Sequence, residues 1–318
     1  MKIVLLDTLT MGSDMNFRCI EALGETVMYG NTAPSEVAER IKDADVAVLN
    51  KVVLDKNVLS SAKNLKLICV FAIGYNNIDI EYCKVHNIKV RNVPGYCSGS
   101  VCQHTFALLF SLIENMRYYD DFVKDGSYSK SGIANHLGKR FFEIEGKKWG
   151  IIGMGSIGRR VADCAAAFGA DVCYSSISGV IREENYPNEP LDILLSQCDI
   201  ITVHAPLNEK THHLIGEKEL KMMKKTAVIV NVGRGSVIDE AALAKAVDEG
   251  IIAGAGLDVY SEEPPKADSS IMNVKNKEKI VYTPHIAWGS VQARERCISM
   301  TADNIKAFID GKALNDVI

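Results

Sequence analysis

Three segments in the second half of the chain carry residues able to fix an anion and move a proton. Asn231-Val232-Gly233-Arg234-Gly235-Ser236 sets an arginine in a glycine-flanked turn directly after the apolar run 227–230, where a planar guanidinium can grip a carboxylate through two parallel bonds. Asp258-Val259-Tyr260-Ser261-Glu262-Glu263-Pro264-Pro265 sets acids after a second apolar run, and Thr283-Pro284-His285-Ile286-Ala287-Trp288 sets a histidine after a third. Taken singly, Arg234 reads as a loop ion pair, Glu263 as a solvated acid and His285 as a hydrogen-bonded core residue. Taken together on one sheet edge, they supply an anion clamp, a proton donor and a carboxylate to hold that donor.

A fourth segment supplies a place for a phosphate. The apolar run 149–152 leads directly into Gly153-Met154-Gly155-Ser156-Ile157-Gly158, and a helical pattern over 159–168 follows. Gly-x-Gly-x-x-Gly between a strand and a helix gives a tight turn, close backbone approach to a pyrophosphate, and close helix–strand packing. The next strand of such a dinucleotide site ordinarily ends in an acid that bonds the ribose 2′-hydroxyl. Here Asp171-Val172-Cys173-Tyr174 is followed by Ser175 and Ser176, and Arg182 comes seven residues after Ser175. No acid repels a 2′-phosphate and no arginine cluster awaits one, so the expected cofactor is NAD, with NADP compatible.

Other chemistries lack their residues. The sequence has no G-x-x-x-x-G-K-[ST] phosphate loop, no H-E-x-x-H and no G-x-S-x-G elbow, which removes the usual bases for kinase or hydrolase activity. His204, His212 and His213 have no established metal-ligand spacing, so no metal is expected. Thirty-six Lys and Arg against forty Asp and Glu give a net charge of −4, without the basic concentration of a nucleic-acid footprint. Apolar runs such as 46–49 and 107–110 fall far short of the ~18 residues of a membrane span. The N-terminal apolar stretch is too short for a signal peptide. The nine cysteines form no C-x-x-C, which fits reduced, buried thiols and a cytoplasmic protein.

The elements that must position these residues alternate in type, as in parallel sheets covered by crossover helices. Strands are expected near 2–7, 46–50, 67–72 and 89–92, then, after a helix apolar on more than one face over 98–116, near 148–152, 171–174, 200–203, 227–231, 256–259 and 280–283. A last helix is expected over 290–311. Ligands of such sheets bind beyond the carboxyl ends of the strands, where all four segments lie.

With these motifs in this order, the sequence resembles the D-isomer-specific 2-hydroxyacid dehydrogenase family over essentially its whole length. The resemblance is carried by residues 149–158, Val203-His204-Ala205-Pro206-Leu207, Asn231-Val232-Gly233-Arg234-Gly235, Asp258-Val259 leading to Glu263-Pro264, and Thr283-Pro284-His285. Within the family it is closest to the glycerate dehydrogenase (hydroxypyruvate reductase) branch, on Ile73-Gly74-Tyr75-Asn76-Asn77-Ile78-Asp79, Asn92-Val93-Pro94-Gly95-Tyr96, Ser100-Val101-Cys102-Gln103-His104-Thr105 and His285-Ile286-Ala287-Trp288 with Ala293-Arg294.

The resemblance implies an α/β protein of two Rossmann-like doubly wound parallel-sheet domains with a cleft between them. Residues 1–99 and 288–318 would form a flavodoxin-like substrate domain, and 100–287 the dinucleotide domain, with a homodimer contact through the helix and arm 98–145. It implies Arg234, Glu263 and His285 as the catalytic trio. Cofactor contacts would come from Gly153, Gly155, Ser156, Ile157, Gly158, Ser175, Ser176, His204, Ala205, Pro206, Thr211, Val232, Gly233, Arg234, Asp258, His285 and Ala287. Substrate contacts would come from Lys51, the amides of Ile73 and Gly74, Arg234, His285 and Trp288, with Arg294 either behind the site or an ordinary helix-surface charge. The reaction would interconvert a small D-2-hydroxy acid and its 2-keto acid, D-glycerate and hydroxypyruvate first, with glyoxylate, pyruvate or 3-phosphohydroxypyruvate as rivals. A rival of another class is a dinucleotide-sensing, co-repressor-like binding protein.

Overall fold

The computed structural model describes residues 1–179 and 185–318; Arg182 lies outside the described residues. The chain divides into two compact units, one of residues 1–97 and 289–318, the other of residues 98–288.

The first unit holds five parallel strands: β1 (Lys2–Leu5), β2 (Glu25–Met28), β3 (Val46–Leu49), β4 (Leu67–Val70) and β5 (Lys89–Arg91). Their order, β2-β1-β3-β4-β5, is that of a flavodoxin-like sheet. β3 and β4 are buried at every position, which is why both read as unbroken apolar runs. β2 has no such run: it is an edge strand of exposed and half-buried residues, and the expected strand set omitted it. The helix Val291–Ile309, capped by the Ser290 hydroxyl on the Ala293 amide, returns the chain to this unit. Arg294 serves it structurally, with a forked ion pair to Asp14 (2.5 and 2.9 Å) and a bond to the Met11 carbonyl.

The second unit holds β6 (Lys148–Ile152), β7 (Asp171–Ser175), β8 (Ile200–Val203), β9 (Val228–Asn231), β10 (Gly254–Leu257) and β11 (Ile280–Tyr282), all parallel, in the order β11-β10-β9-β8-β6-β7. The chain leaves β6 for β7 on one side and then crosses to β8 on the other. That reversal opens a crevice beyond the ends of β6 and β8, the place where doubly wound sheets bind ligands.

The sheet is covered on one side by the helix Ser98–Ile113. The helix reaches it because β10 carries Gly254 and Gly256: a Cβ on either would stand 3.0 Å from Leu112 or 3.2 Å from Leu108. Phe106 of the same helix packs on the fully buried Trp149 of β6, ring centroids 5.2 Å apart. Two-sided contact explains why this helix is apolar on more than one face. It ends at Ile113, short of the expected 116, and after Asn115 in the left-handed region Met116–Lys124 follows as a separate helix.

None of the nine cysteines is in a disulfide; seven are buried, Cys164 is partly so, and Cys19 is exposed, against the expectation for that one thiol. Burial pushes the Cys69 and Cys102 thiols up to about 12, beyond ready ionisation.

Candidate active site

The strand ends of the second unit are tied by hydrogen bonds that continue the ladder: Asp258 N–H donates to the Asn231 carbonyl (3.0 Å), and Thr283 N–H to that of Leu257 (2.9 Å). Each segment is then folded by its own residues. The Asn231 side chain accepts from Gly233 N–H and donates to the Arg234 carbonyl, both at 3.0 Å, which closes the turn around Arg234. Gly235 lies so close to the Tyr260 backbone that no side chain fits between them. This contact brings the arginine turn against the segment bearing Glu263. The Arg234 side chain is half-buried and donates to the Gly233 carbonyl (2.8 Å).

His285 and Glu263 meet. The Nδ1 of His285 stands 2.6 Å from Glu263 Oε2, with the two side chains 23% and 31% exposed. The other oxygen, Oε1, accepts from Tyr260 N–H (3.2 Å), while the Tyr260 hydroxyl donates to the Thr283 carbonyl (2.9 Å). The carboxylate is therefore fixed before it fixes the ring. Since a carboxylate accepts only, Nδ1 carries a proton and Nε2 is the atom left to exchange one with a ligand. His285 itself has φ 54°, a left-handed backbone in a residue with a Cβ, and this region is sparsely populated for non-glycine residues.

Asp258 is the residue that holds that loop. It is fully buried, its Oδ1 accepts from the Thr283 hydroxyl (2.6 Å) and Ile286 N–H (2.8 Å), and its Oδ2 accepts from Ala287 N–H (2.8 Å). The Trp288 indole closes the same loop through a 3.0 Å bond to the His285 carbonyl.

At the crevice, Gly153, Gly155, Ser176, His204, Ala205, Pro206 and Thr211 line one cavity of about 240 Å³. Its lining also includes Tyr174, Ser178, Asn208 and Lys210, which sequence reasoning missed because they sit off the motif, brought in by the ends of β7 and β8. The residues fit a dinucleotide. Gly153 has φ 97° and packs on the Ala205 amide, 2.9 Å from where a Cβ would be, while Gly155 has open space there. Gly158 likewise has no room for a side chain beside the Gly153 carbonyl. The helix Ser156–Ala167 starts at Gly155, so its first amides face whatever anion occupies the turn. The Thr211 hydroxyl is engaged with its own loop, donating to the Pro206 carbonyl (2.7 Å) and accepting from Asn208 N–H (2.8 Å).

Both His204 ring nitrogens are sealed from solvent with no hydrogen-bond partner among the described residues; the surface it retains belongs to other atoms. Burial pulls this imidazole down to about 3, so it is neutral. Among the described residues no group of His, Cys, Asp or Glu is gathered to hold a metal.

In the first unit, Lys51 follows β3 in a turn organised by the buried Asp7, which accepts from the Asn50, Lys51 and Val52 amides at 2.6 to 3.2 Å. Ile73 and Gly74 follow β4, where the Ile73 carbonyl accepts from the Asn92 side chain (2.7 Å).

Residues 106–287 match the family model for the D-isomer specific 2-hydroxyacid dehydrogenase, NAD binding domain. The chain is 34% identical to a hydroxypyruvate reductase from Blautia hydrogenotrophica, over 100% of this chain and 99% of that protein. It is 39% identical to a glyoxylate reductase from Thermococcus litoralis, over 86% and 83%. Among solved structures it superposes with TM-score 0.85 on a D-lactate dehydrogenase from Aquifex aeolicus complexed with NAD and lactic acid, at 29% identity, covering 97% of this chain and 96% of that one. The chain belongs to the D-isomer-specific 2-hydroxyacid dehydrogenase family.

Proposed function

We propose that the protein reduces a small 2-keto acid to the D-2-hydroxy acid, and runs the reverse oxidation, with hydroxypyruvate and D-glycerate as the favoured pair. The single observation that carries the reading is the 2.6 Å His285–Glu263 contact at the same strand ends as Arg234 and the Gly153 turn. A bound reduced nicotinamide dinucleotide supplies the hydride. Arg234 grips the substrate carboxylate and polarises the carbonyl oxygen. His285 donates the Nε2 proton to the developing alkoxide, and Glu263 holds the ring and gives the imidazolium its countercharge. In the reverse direction, neutral Nε2 takes the hydroxyl proton. Lys51, the Ile73 and Gly74 amides and Trp288 are assigned to the substrate; the remaining Gly-turn and strand-end residues, to the dinucleotide.

Hydroxypyruvate as substrate is supported by the relative bearing that name, and glyoxylate, the second reading, by the glyoxylate reductase at higher identity over a shorter span. The expected coenzyme remains NAD. Initial rates with NADH and NADPH, each against hydroxypyruvate, glyoxylate, pyruvate and 3-phosphohydroxypyruvate, test both choices. Hydroxypyruvate at least about tenfold above the others in kcat/KM, a gap of ~1.4 kcal/mol in transition-state binding, supports the pair; another best substrate replaces it. Dinucleotide binding without turnover of any of them moves the protein to the sensing class.

A homodimer is proposed through the arm after the Ser98 helix, where Met116, Val123, Ile133, Leu137 and Phe141 are exposed apolar residues. Light scattering reads the mass: a value of twice 34.8 kDa supports it and the monomer value removes it. A cytoplasmic location goes with nine cysteines outside any disulfide.

A further inference from the structure

We infer that His104, on the Ser98 helix, is a positioning residue for the loop that presents His285; the inference rests on the proposed reaction. Residues 100, 104, 108 and 112 recur every four positions and so share one helix face. Leu108 and Leu112 seat that face over Gly256 and Gly254 of β10. Further toward the strand ends, the stripe turns polar. The Ser100 hydroxyl donates to the Ala287 carbonyl (2.6 Å), and His104 Nε2 lies 2.9 Å from Thr283 Oγ1. The two residues thus grip the 283–287 loop near both of its ends, with His285 between them.

The donor directions follow from proton counting. The single Thr283 hydroxyl proton goes to Asp258 Oδ1 at 2.6 Å, so Thr283 Oγ1 can only accept from His104, and Nε2 bears the proton. The result is a directed chain, His104 Nε2–H to Thr283 O–H to Asp258, whose buried carboxylate holds the Ile286 and Ala287 amides. Chains of this kind strengthen each member. They also fix the backbone on the far side of a residue held at φ 54°, a conformation that persists only when its surroundings over-determine it.

The test is a pair of variants. His104→Phe keeps a ring and deletes the donor; His104→Gln offers an amide N–H in its place. The Phe variant is expected to lose at least about tenfold in kcat at saturating substrate and coenzyme, with coenzyme KM moved by less than about threefold, and Gln to recover to within about threefold of the unaltered protein. Acrylamide quenching gives a readout independent of turnover. Of the two tryptophans, Trp149 is fully buried and Trp288 is bonded to the His285 carbonyl, so the quenchable emission reports the loop and should rise in Phe but not in Gln. Unaltered kcat and quenching in His104→Phe overturns the inference. So does equal loss in both variants with equal lowering of Tm, the signature of packing alone. If the unaltered protein turns over no keto acid, the proposed reaction fails while the quenching pair still decides the role of His104.

Discussion

Two histidines stand just beyond the ends of parallel strands in one sheet, and their surroundings make them opposites. His285, beyond β11, has Nδ1 fixed by a carboxylate and keeps 23% of its side chain exposed. His204, at the end of β8, has both nitrogens sealed without partners and is held neutral. Sequence position alone made both of them candidates. What separates them is a second strand-end loop: the segment after β10 delivers Glu263 to the His285 ring and Asp258 to the loop that carries it, whereas β6 delivers only the glycine turn to His204. One keeps a ring nitrogen, Nε2, for the proton transfer proposed above, and the other is a wall of the cavity.

Substitution at each histidine breaks or sharpens that contrast. His285→Ala is expected to give the largest effect, a loss of about 10³-fold in kcat with dinucleotide affinity little changed, read by steady-state rates and coenzyme titration. His204→Leu is expected to act instead on coenzyme KM, leaving the saturated rate close to that of the unaltered protein. A collapse of kcat there would erase the distinction.

Arg234→Lys comes next. A point charge does not reproduce the guanidinium fork, so kcat/KM for the keto acid should fall about 10²-fold, a cost of ~3 kcal/mol. Glu263→Gln keeps an acceptor for Nδ1 but removes the countercharge, and a fall in kcat of roughly tenfold or somewhat more is expected. An unchanged rate in either variant would leave His285 to be explained without that partner.

A separate effect is on stability, and it comes from His204. Its pKa falls from 6.5 in the unfolded chain to about 3 in the fold. The unfolded state therefore binds the extra proton between those values: the stabilisation is complete above pH 6.5 and is lost as pH drops toward 3. Between pH 7.5 and 4.5 this one group should cost about 2–3 kcal/mol. Urea melts at the two pH values should show that difference shrink in His204→Leu. At neutral pH the same variant should also be stabilised by about 1–3 kcal/mol, since two unsatisfied nitrogens are removed.

The sequence by itself determined a good deal. Strands buried on both faces, such as Val46–Leu49 and Leu67–Val70, read as unbroken apolar runs, so they declare themselves in one dimension. The Gly153 turn declares itself because a φ of 97° and close backbone contact exclude most other residues. Strand Glu25–Met28 stayed hidden because an edge strand that keeps solvent on its flank needs no apolar run.

At the site, Arg234, Glu263 and His285 were legible as residue types after strands. Their contacts were not, since the 2.6 Å approach of His285 and Glu263 joins residues 22 apart through two different strands. The tertiary structure alone decided that Asp258 clamps the His285 loop, that Tyr174 and Lys210 line the cavity, and that His104 reaches Thr283 from 179 residues away. The physical reason is the same throughout. A local pattern fixes what the backbone and burial require within a few residues, but hydrogen-bond partners and desolvation are set by whatever the sheet order brings alongside.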